Sequence, residues 1–196
     1  TATTATYTLS LHDALPISEL GNGQGIFGMV EIGYWHNQAD DTDRLPGTYK
    51  LGGWWHSGEF DDFRGGASHD GIQGVYASGE QMIYREYGDQ GLKLFVRVGF
   101  APKDRSEVDY SFQAGVSYVG LIPGRDIDIA ALGLSHAHIS DDLPGRTIET
   151  VVEAAYEYVM SDDFTIQPSV QWVGDPGATG ELDDALVLGL RVNLSF

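Results

Sequence analysis

Three glutamates recur at intervals of four in IETVVEAAYEYVM, and by type they are the residues best suited to chemistry: Glu149, Glu153 and Glu157. Two carboxylates flanking a glycosidic bond can act as acid and nucleophile in hydrolysis. A spacing of four shares one face of a helix, but it also shares one face of a strand. The neighbours decide for the strand: Val152, Ala154, Tyr156, Tyr158 and Met160 alternate against Glu149, Val151, Glu153 and Glu157. The glutamates then form an acidic ladder on the polar side of that strand. His136 and His138 stand two apart, a spacing that puts two metal ligands on one strand face. There is no third ligand nearby and no cysteine in the chain, so neither a metal nor a cofactor is expected. The acid pairs Asp40–Asp41, Asp61–Asp62, Asp141–Asp142, Asp162–Asp163 and Asp183–Asp184 lack calcium-loop spacing and read as turn residues. GNGQG at 21–25 lacks the strand and helix that flank a nucleotide-binding loop.

What remains is a set of polar side chains that recur on one face of successive strands. In GLKLFVRVGF, Lys93, Phe95 and Arg97 oppose Leu92, Leu94, Val96, Val98 and Phe100. In DYSFQAGVSYVG, Ser111, Gln113, Gly115 and Ser117 oppose Tyr110, Phe112, Ala114, Val116 and Tyr118. Thr165, Gln167, Ser169 and Gln171 oppose Phe164, Ile166, Pro168, Val170 and Trp172. In the last strand, Val187, Gly189, Arg191, Asn193 and Ser195 oppose Leu186, Leu188, Leu190, Val192, Leu194 and Phe196. Further strands are expected over 25–36, 47–56, 72–85 and 127–139. The segments 72–85 and 127–139 alternate too poorly for their faces to be assigned.

A soluble β-sandwich alternates as well, but three features favour an antiparallel transmembrane β-barrel. The strands reach about ten to twelve residues, enough to cross a bilayer with tilt, whereas globular strands average about five or six. Aromatics gather near strand ends, where interfacial girdles belong: Tyr34, Trp35, Trp54, Trp55, Tyr84, Phe100, Tyr110, Tyr158, Trp172 and Phe196. The connections also alternate in length, the longer ones at 57–71, 101–109, 140–147 and 174–184, the shorter at 86–90, 122–126 and 160–163. Segment 37–46 is the exception to the rule of short periplasmic turns. The net charge of −18 excludes nucleic acid as a partner, because phosphate binding needs clustered Lys and Arg. In a barrel the polar face is the lumen, so the pore-lining and substrate-binding candidates are Lys93, Arg97, Gln113, Glu149, Glu153, Gln167, Gln171 and Arg191. No catalytic residue is expected. The competing reading is a soluble acidic β-sandwich that binds or hydrolyses carbohydrate through Glu149–Glu157.

Residues 7–17, YTLSLHDALPI, match the translation of a common sequencing-library adapter. Residues 1–18 are therefore expected to be an adapter-derived, disordered artefact outside the barrel, and 19–196 to be the C-terminal portion of the outer-membrane barrel. That portion supplies about nine strands. Single-chain bacterial barrels close with an even number, and open edges leave backbone groups unpaired in lipid. The chain is thus expected to be a partial barrel that needs a missing N-terminal half.

Several phrases resemble the carbohydrate-selective porins of the OprB type. They are PGTYKLGGWW (46–55), EQMIYRE (80–86), DQGLKLFVRVGFAPKDR (89–105), YVGLIPGRDID (118–128) and QPSVQWVGDPG (167–177), with LGLRVNLSF at the end. The resemblance covers about 21–196 and contains no catalytic signature. It implies a sixteen-stranded barrel in the outer membrane of a Gram-negative bacterium, passing glucose and similar sugars by passive diffusion. The partners it implies are small sugars and outer-membrane lipid with lipopolysaccharide, and assembly as a homotrimer is left open.

Overall fold

The computed structural model describes residues 25–38 and 44–195, together with the backbone of Tyr7–Thr8. The architecture is all-β. After the two-residue strand β1 (Tyr7–Thr8) come β2 (Phe27–His36), β3 (Gly47–Phe60), β4 (His69–Arg85), β5 (Gly91–Phe100) and β6 (Val108–Val119). They are followed by β7 (Ile129–Ile139), β8 (Ile148–Ser161), β9 (Phe164–Gly174) and β10 (Ala185–Leu194). Each strand pairs antiparallel with its neighbour in sequence, so the order is an open meander from β1 to β10. Segment 148–159 is strand, as its alternation predicts. Tyr7 and Thr8 sit opposite Ile32 and Glu31, so the expectation that residues 1–18 stand wholly outside the sheet departs from the structure at those two residues. Leu11, Leu15, Asp40, Asp41 and Phe196 lie outside the described residues. No helix among the described residues is long and apolar enough to cross a membrane.

A single layer of strands has no interior. Among the described residues the buried apolar side chains are Ile72, Met82, Ile139 and Ala178. Cohesion comes instead from the hydrogen-bond ladders and from aromatic rings seated on glycines across the strand boundary. Trp55 lies opposite Gly28, Trp54 opposite Gly74, Tyr76 opposite Gly52, Tyr49 opposite Gly79, and Phe95 opposite Gly115. In the first three pairs and the last, a methyl group on the glycine would fall 2.1–2.6 Å from a ring atom. The ring occupies the volume a side chain would need, which shields the otherwise bare backbone. Part of the chain's glycine content is therefore space for rings.

The registers extend a single face assignment across the sheet. Arg97 pairs with Ser78 and Gln113, Lys50 with Ser78, Glu153 with Gln171, and Gln167 with Arg191. The opposite face carries Leu51, Val75, Leu94, Val96, Leu132, Val170 and the β10 leucines, of which Leu188 is 79% exposed. Trp35 and Trp54, expected in an outward girdle, share the inward face with Lys50. The contrast in connection length is weaker than expected. One end has 61–68, 101–107, 140–147 and 175–184; the other has 37–46, 86–90, 120–128 and 162–163. The reasons are that β3 and β4 run on into the segment read as a loop at 57–71, around a bulge between His56 and Glu59, and that the connection read as 122–126 runs over 120–128.

The first set of connections is stitched into a rim. Phe63 N donates to Asp104 O at 2.8 Å, Arg105 Nη1 to Gly71 O at 3.0 Å, Ser140 N to Glu107 O at 2.9 Å and Thr147 N to Ala178 O at 2.8 Å. At the other end the 120–128 turn is locked by Asp128, whose side chain is 1% exposed. Arg125 donates to both its oxygens at 2.6 and 2.7 Å, Tyr156 Oη donates at 2.6 Å and Val159 N at 2.9 Å. The Arg125 guanidinium also lies 3.8 Å from the centre of the Tyr158 ring, a cation–π contact.

Two measurements check these readings. Arg125 beside Asp128 is the main cause holding the Asp128 carboxyl down, at about 2. An unfolded aspartate titrates at about 3.9, so the stabilisation is complete above about pH 4 and is lost as pH falls toward 2. Asp128→Asn is expected to lower the urea midpoint of a refolded barrel at pH 7, by about 1–3 kcal/mol of stability. The gap between parent and variant should close between about pH 4 and pH 2; a gap that is constant with pH would count against the lock.

The glycine seats make the second. A Cβ on Gly115 would sit 2.5 Å from Phe95 Cε1 and 2.6 Å from the Leu132 carbonyl oxygen, while one on Gly133 meets nothing nearer than 4.0 Å. Gly115→Ala should therefore destabilise by at least about 1–3 kcal/mol, as overpacking does, and Gly133→Ala should be close to neutral. Thermal loss of the folded, fast-migrating gel band would read both.

Candidate functional site

The polar face is the concave one. Two recesses of about 500 Å³ each open on it, side by side across the sheet, the first over β2–β6 and the second over β5–β10. The first is walled by Glu31, Lys50, Tyr76, Glu80, Arg97 and Gln113. Across the glycine gap at Gly52, Tyr76 Oη donates to Glu31 at 2.7 Å, and Lys50 Nζ lies 3.0 Å from the same carboxylate. Arg97 approaches Glu80 at 3.9 Å, both side chains more than half exposed. Such exposed pairs add little stability. Their use is a wall of alternating donors and acceptors.

The second recess is walled by Phe95, Glu153, Gln167, Ser169, Gln171 and Arg191. Glu153 faces Gln171 and Gln167 faces Arg191 in direct register, so the four polar groups form two cross-strand pairs, with the Ser169 row between them. The structure thus brings together six of the eight residues singled out from sequence: Arg97 and Gln113 in one recess, Glu153, Gln167, Gln171 and Arg191 in the other. Lys93 stands apart, beside Thr48 and Glu80 in a smaller recess of about 150 Å³. Glu149 also stands apart; its carboxylate accepts a 2.7 Å hydrogen bond from Gly177 N and so anchors the 175–184 connection.

Glu31, Tyr76 and Glu80 carry much of the first recess and were not legible as site residues. Tyr76 and Glu80 belong to the segment whose faces could not be assigned, and the structure gives the cause. β4 carries three glycines, and its register slips between Met82 and Tyr84, which reverses the alternation. Glu31 lies in GMVEIGYW, where glycines again dilute the period.

The chemical alternatives can be weighed against this geometry. Glu149, Glu153 and Glu157 are successive fourth residues of a strand, so their backbones stand about 13 Å apart, at about 3.3 Å per residue. A glycosidase pair needs carboxyls about 5–9.5 Å apart. With Glu149 also held by Gly177, the ladder is poorly placed for hydrolysis. His136 and His138 point to the outward face and have separate partners, Thr150 at 3.0 Å and Asp109 at 2.6 Å. Tyr110 stacks on His138 with ring centres 4.5 Å apart.

A different group, Asp62, His69 and Asp104, brings ligand-type atoms within 4.8 Å of one another on the loop rim. Arg64 already neutralises it, donating to Asp62 at 2.8 and 3.0 Å and lying 3.5 Å from Asp104. That guanidinium, aided by His69, holds the Asp62 carboxyl well below the usual range. The cluster ties the 61–68 connection to 101–107.

Comparison with known proteins accounts for this arrangement. Porin B of Pseudomonas aeruginosa is 26% identical over 192 residues, covering 79% of this chain and 42% of that protein. The high-pH structure of Pseudomonas putida OprB superposes with a TM-score of 0.81 at 25% identity, over 88% of this chain and 49% of that one. Its low-pH structure, at 22% identity, gives a TM-score of 0.60 over 87% and 47% and speaks for the fold alone. The chain spans a little under half the length of the relatives it matches. A family model described as carbohydrate-selective porin, OprB family, matches residues 4–196, and the chain belongs to that family.

Proposed function

We propose that the chain forms part of an outer-membrane porin that passes glucose and similar sugars by passive diffusion. One observation carries this reading: the sheet is a single open layer whose concave face is polar and whose convex face exposes leucine, valine and aromatic side chains. Soluble monomers rarely leave contiguous apolar surface of that extent in water, and a sandwich would bury it under a second sheet. Strands of 10 to 17 residues are long enough to cross hydrocarbon with tilt. Lipid covers the convex face, with lipopolysaccharide against the outer part of it, and the concave face lines water.

Closure needs further strands, because β10 is paired on one side only and an unpaired edge in hydrocarbon leaves several kcal/mol per backbone group uncompensated. The missing strands complete the cylinder. Transport requires no cofactor and no covalent step. Sugar hydroxyls exchange water for the amides of Gln113, Gln167 and Gln171, the guanidinium groups of Arg97 and Arg191 and the carboxylate of Glu153. Each contact is weak and reversible enough for release, the condition for conduction. Lys93 adds a cation nearer the 37–46 end, and Glu149 supports the rim above the lumen.

The test is neutralisation of the lumen cations in the complete barrel. Arg97→Gln and Arg191→Gln should assemble normally, because lumen substitutions tune selectivity while charges on the lipid face cost stability. Each is expected to slow glucose-driven swelling of liposomes and to shift reversal potentials in a salt gradient toward cation preference. Parent-like swelling and potentials in both variants would remove these residues from the selectivity mechanism.

A further inference from the structure

Across the inward positions of β5–β10 one side chain is out of character. Those positions are filled by glycine, alanine, serine, threonine, valine, isoleucine, amides and charged groups, and Phe95 is the single aromatic among them. Its neighbours in the same row are glycines: Phe95 pairs with Gly115, and Gly115 pairs with Gly133. The ring covers the place a Gly115 side chain would take, and its tip reaches Gly133, with Cζ 4.0 Å from where a Cβ would stand. A glycine in a strand interior weakens a sheet unless a close approach needs the space, as the ring does at Gly115. Gly115 thus seats one aromatic ring against the wall of the concavity, with Gly133 leaving the ground beyond its tip open.

The surroundings of the ring are as specific as its seat. Phe95 lines the recess of about 500 Å³ that also holds Glu153, Gln167, Gln171 and Arg191. That volume falls within the range of about 300–1,000 Å³ in which small-molecule sites occur. Its cross-strand partner on the other side is Glu80, and Arg97 stands two residues along, its guanidinium carbon 5.8 Å from the ring centre. The ring therefore stands on the ridge between the two recesses, with amides, one acid and one guanidinium on the second, and Glu80 and Arg97 nearest it on the first.

We infer that Phe95 is a stacking platform for a pyranose ring, seated on Gly115, and that the flanking polar pairs grip the hydroxyls of the sugar resting on it. A pyranose offers an apolar C–H face and an equatorial belt of hydroxyls. An aromatic plane bordered by Gln167, Gln171, Glu153 and Arg191 complements both at once. The platform rests on the porin reading above and deepens it: selectivity for cyclic sugars over other polar solutes of similar size comes from the ring, not from the width of the lumen alone.

The experiment uses the complete barrel in planar bilayers, titrated with glucose and, separately, with sorbitol, an open-chain polyol that lacks a ring face. Block of the ion current gives a half-saturating concentration for each. Phe95→Leu is expected to raise the glucose value about three- to tenfold, the scale of an aromatic contact. Sorbitol block and ion conductance should stay near the parent values. Phe95→Tyr, which keeps the ring, should match the parent for glucose. Should Phe95→Leu fail to assemble, Phe95→Met supplies the same loss of the ring. If the non-aromatic variant blocks with glucose as the parent does, the platform is overturned while the porin reading stands, and Phe95 merely covers Gly115. If glucose and sorbitol block the parent equally, the ring contributes no selectivity and the platform is likewise overturned. If the parent barrel neither conducts ions nor passes glucose, the porin reading itself fails and the platform with it.

Discussion

Everything in this chain follows from the demand that each backbone N–H and C=O find a partner within a sheet one layer thick. Hydrocarbon offers no hydrogen bonds, so the ladder between neighbouring strands has to be continuous along its length. The meander achieves this with nearest neighbours only, and where the ladder slips, at the bulges in β3, β4, β6 and β8, it recovers within two or three residues. Side chains are thereby freed from building a core. One face is apolar and the other polar, which is why the same period of two runs through nearly every strand.

The fold was legible because that alternation follows from a sheet with one apolar and one polar face and not from packing detail. Leu186 to Leu194 and Leu92 to Phe100 state their faces outright, and the registers set them on the convex side as their period requires. Legibility failed where glycine and aromatic residues exchange volume across a strand boundary. Tyr76 reaches Glu31 only because Gly52 lies between them. Trp54 faces inward over Gly74 although its position near a presumed strand end pointed to the membrane interface. Such pairs are set by the partner strand, so a reading confined to one strand at a time misses them.

The candidate site shows the same division. Gln167, Gln171, Glu153 and Arg191 were readable because each sits on a cleanly alternating strand, and cross-strand register then made them neighbours. Lys93 and Glu149 had the right face but stand toward the ends of their strands. Height along the barrel depends on the register with every other strand, which the period of two does not contain. Glu31, Tyr76 and Glu80 stayed hidden for the opposite reason: they sit within the wall of a recess on strands whose pattern is diluted by glycine or broken by a bulge.

The strand order, in which each member touches only its predecessor and successor, reaches beyond this one sheet. In such a chain the hairpin is a modular unit, as the repeat is in a solenoid. Adding or deleting one pair of strands changes the circumference and leaves the remaining ladders untouched, and diameter grows roughly in proportion to strand number. Lineages that gain or lose a hairpin could therefore widen or narrow the channel in discrete steps. A recess confined to β5–β10 would travel intact through those changes, so solute preference and bore are free to evolve separately.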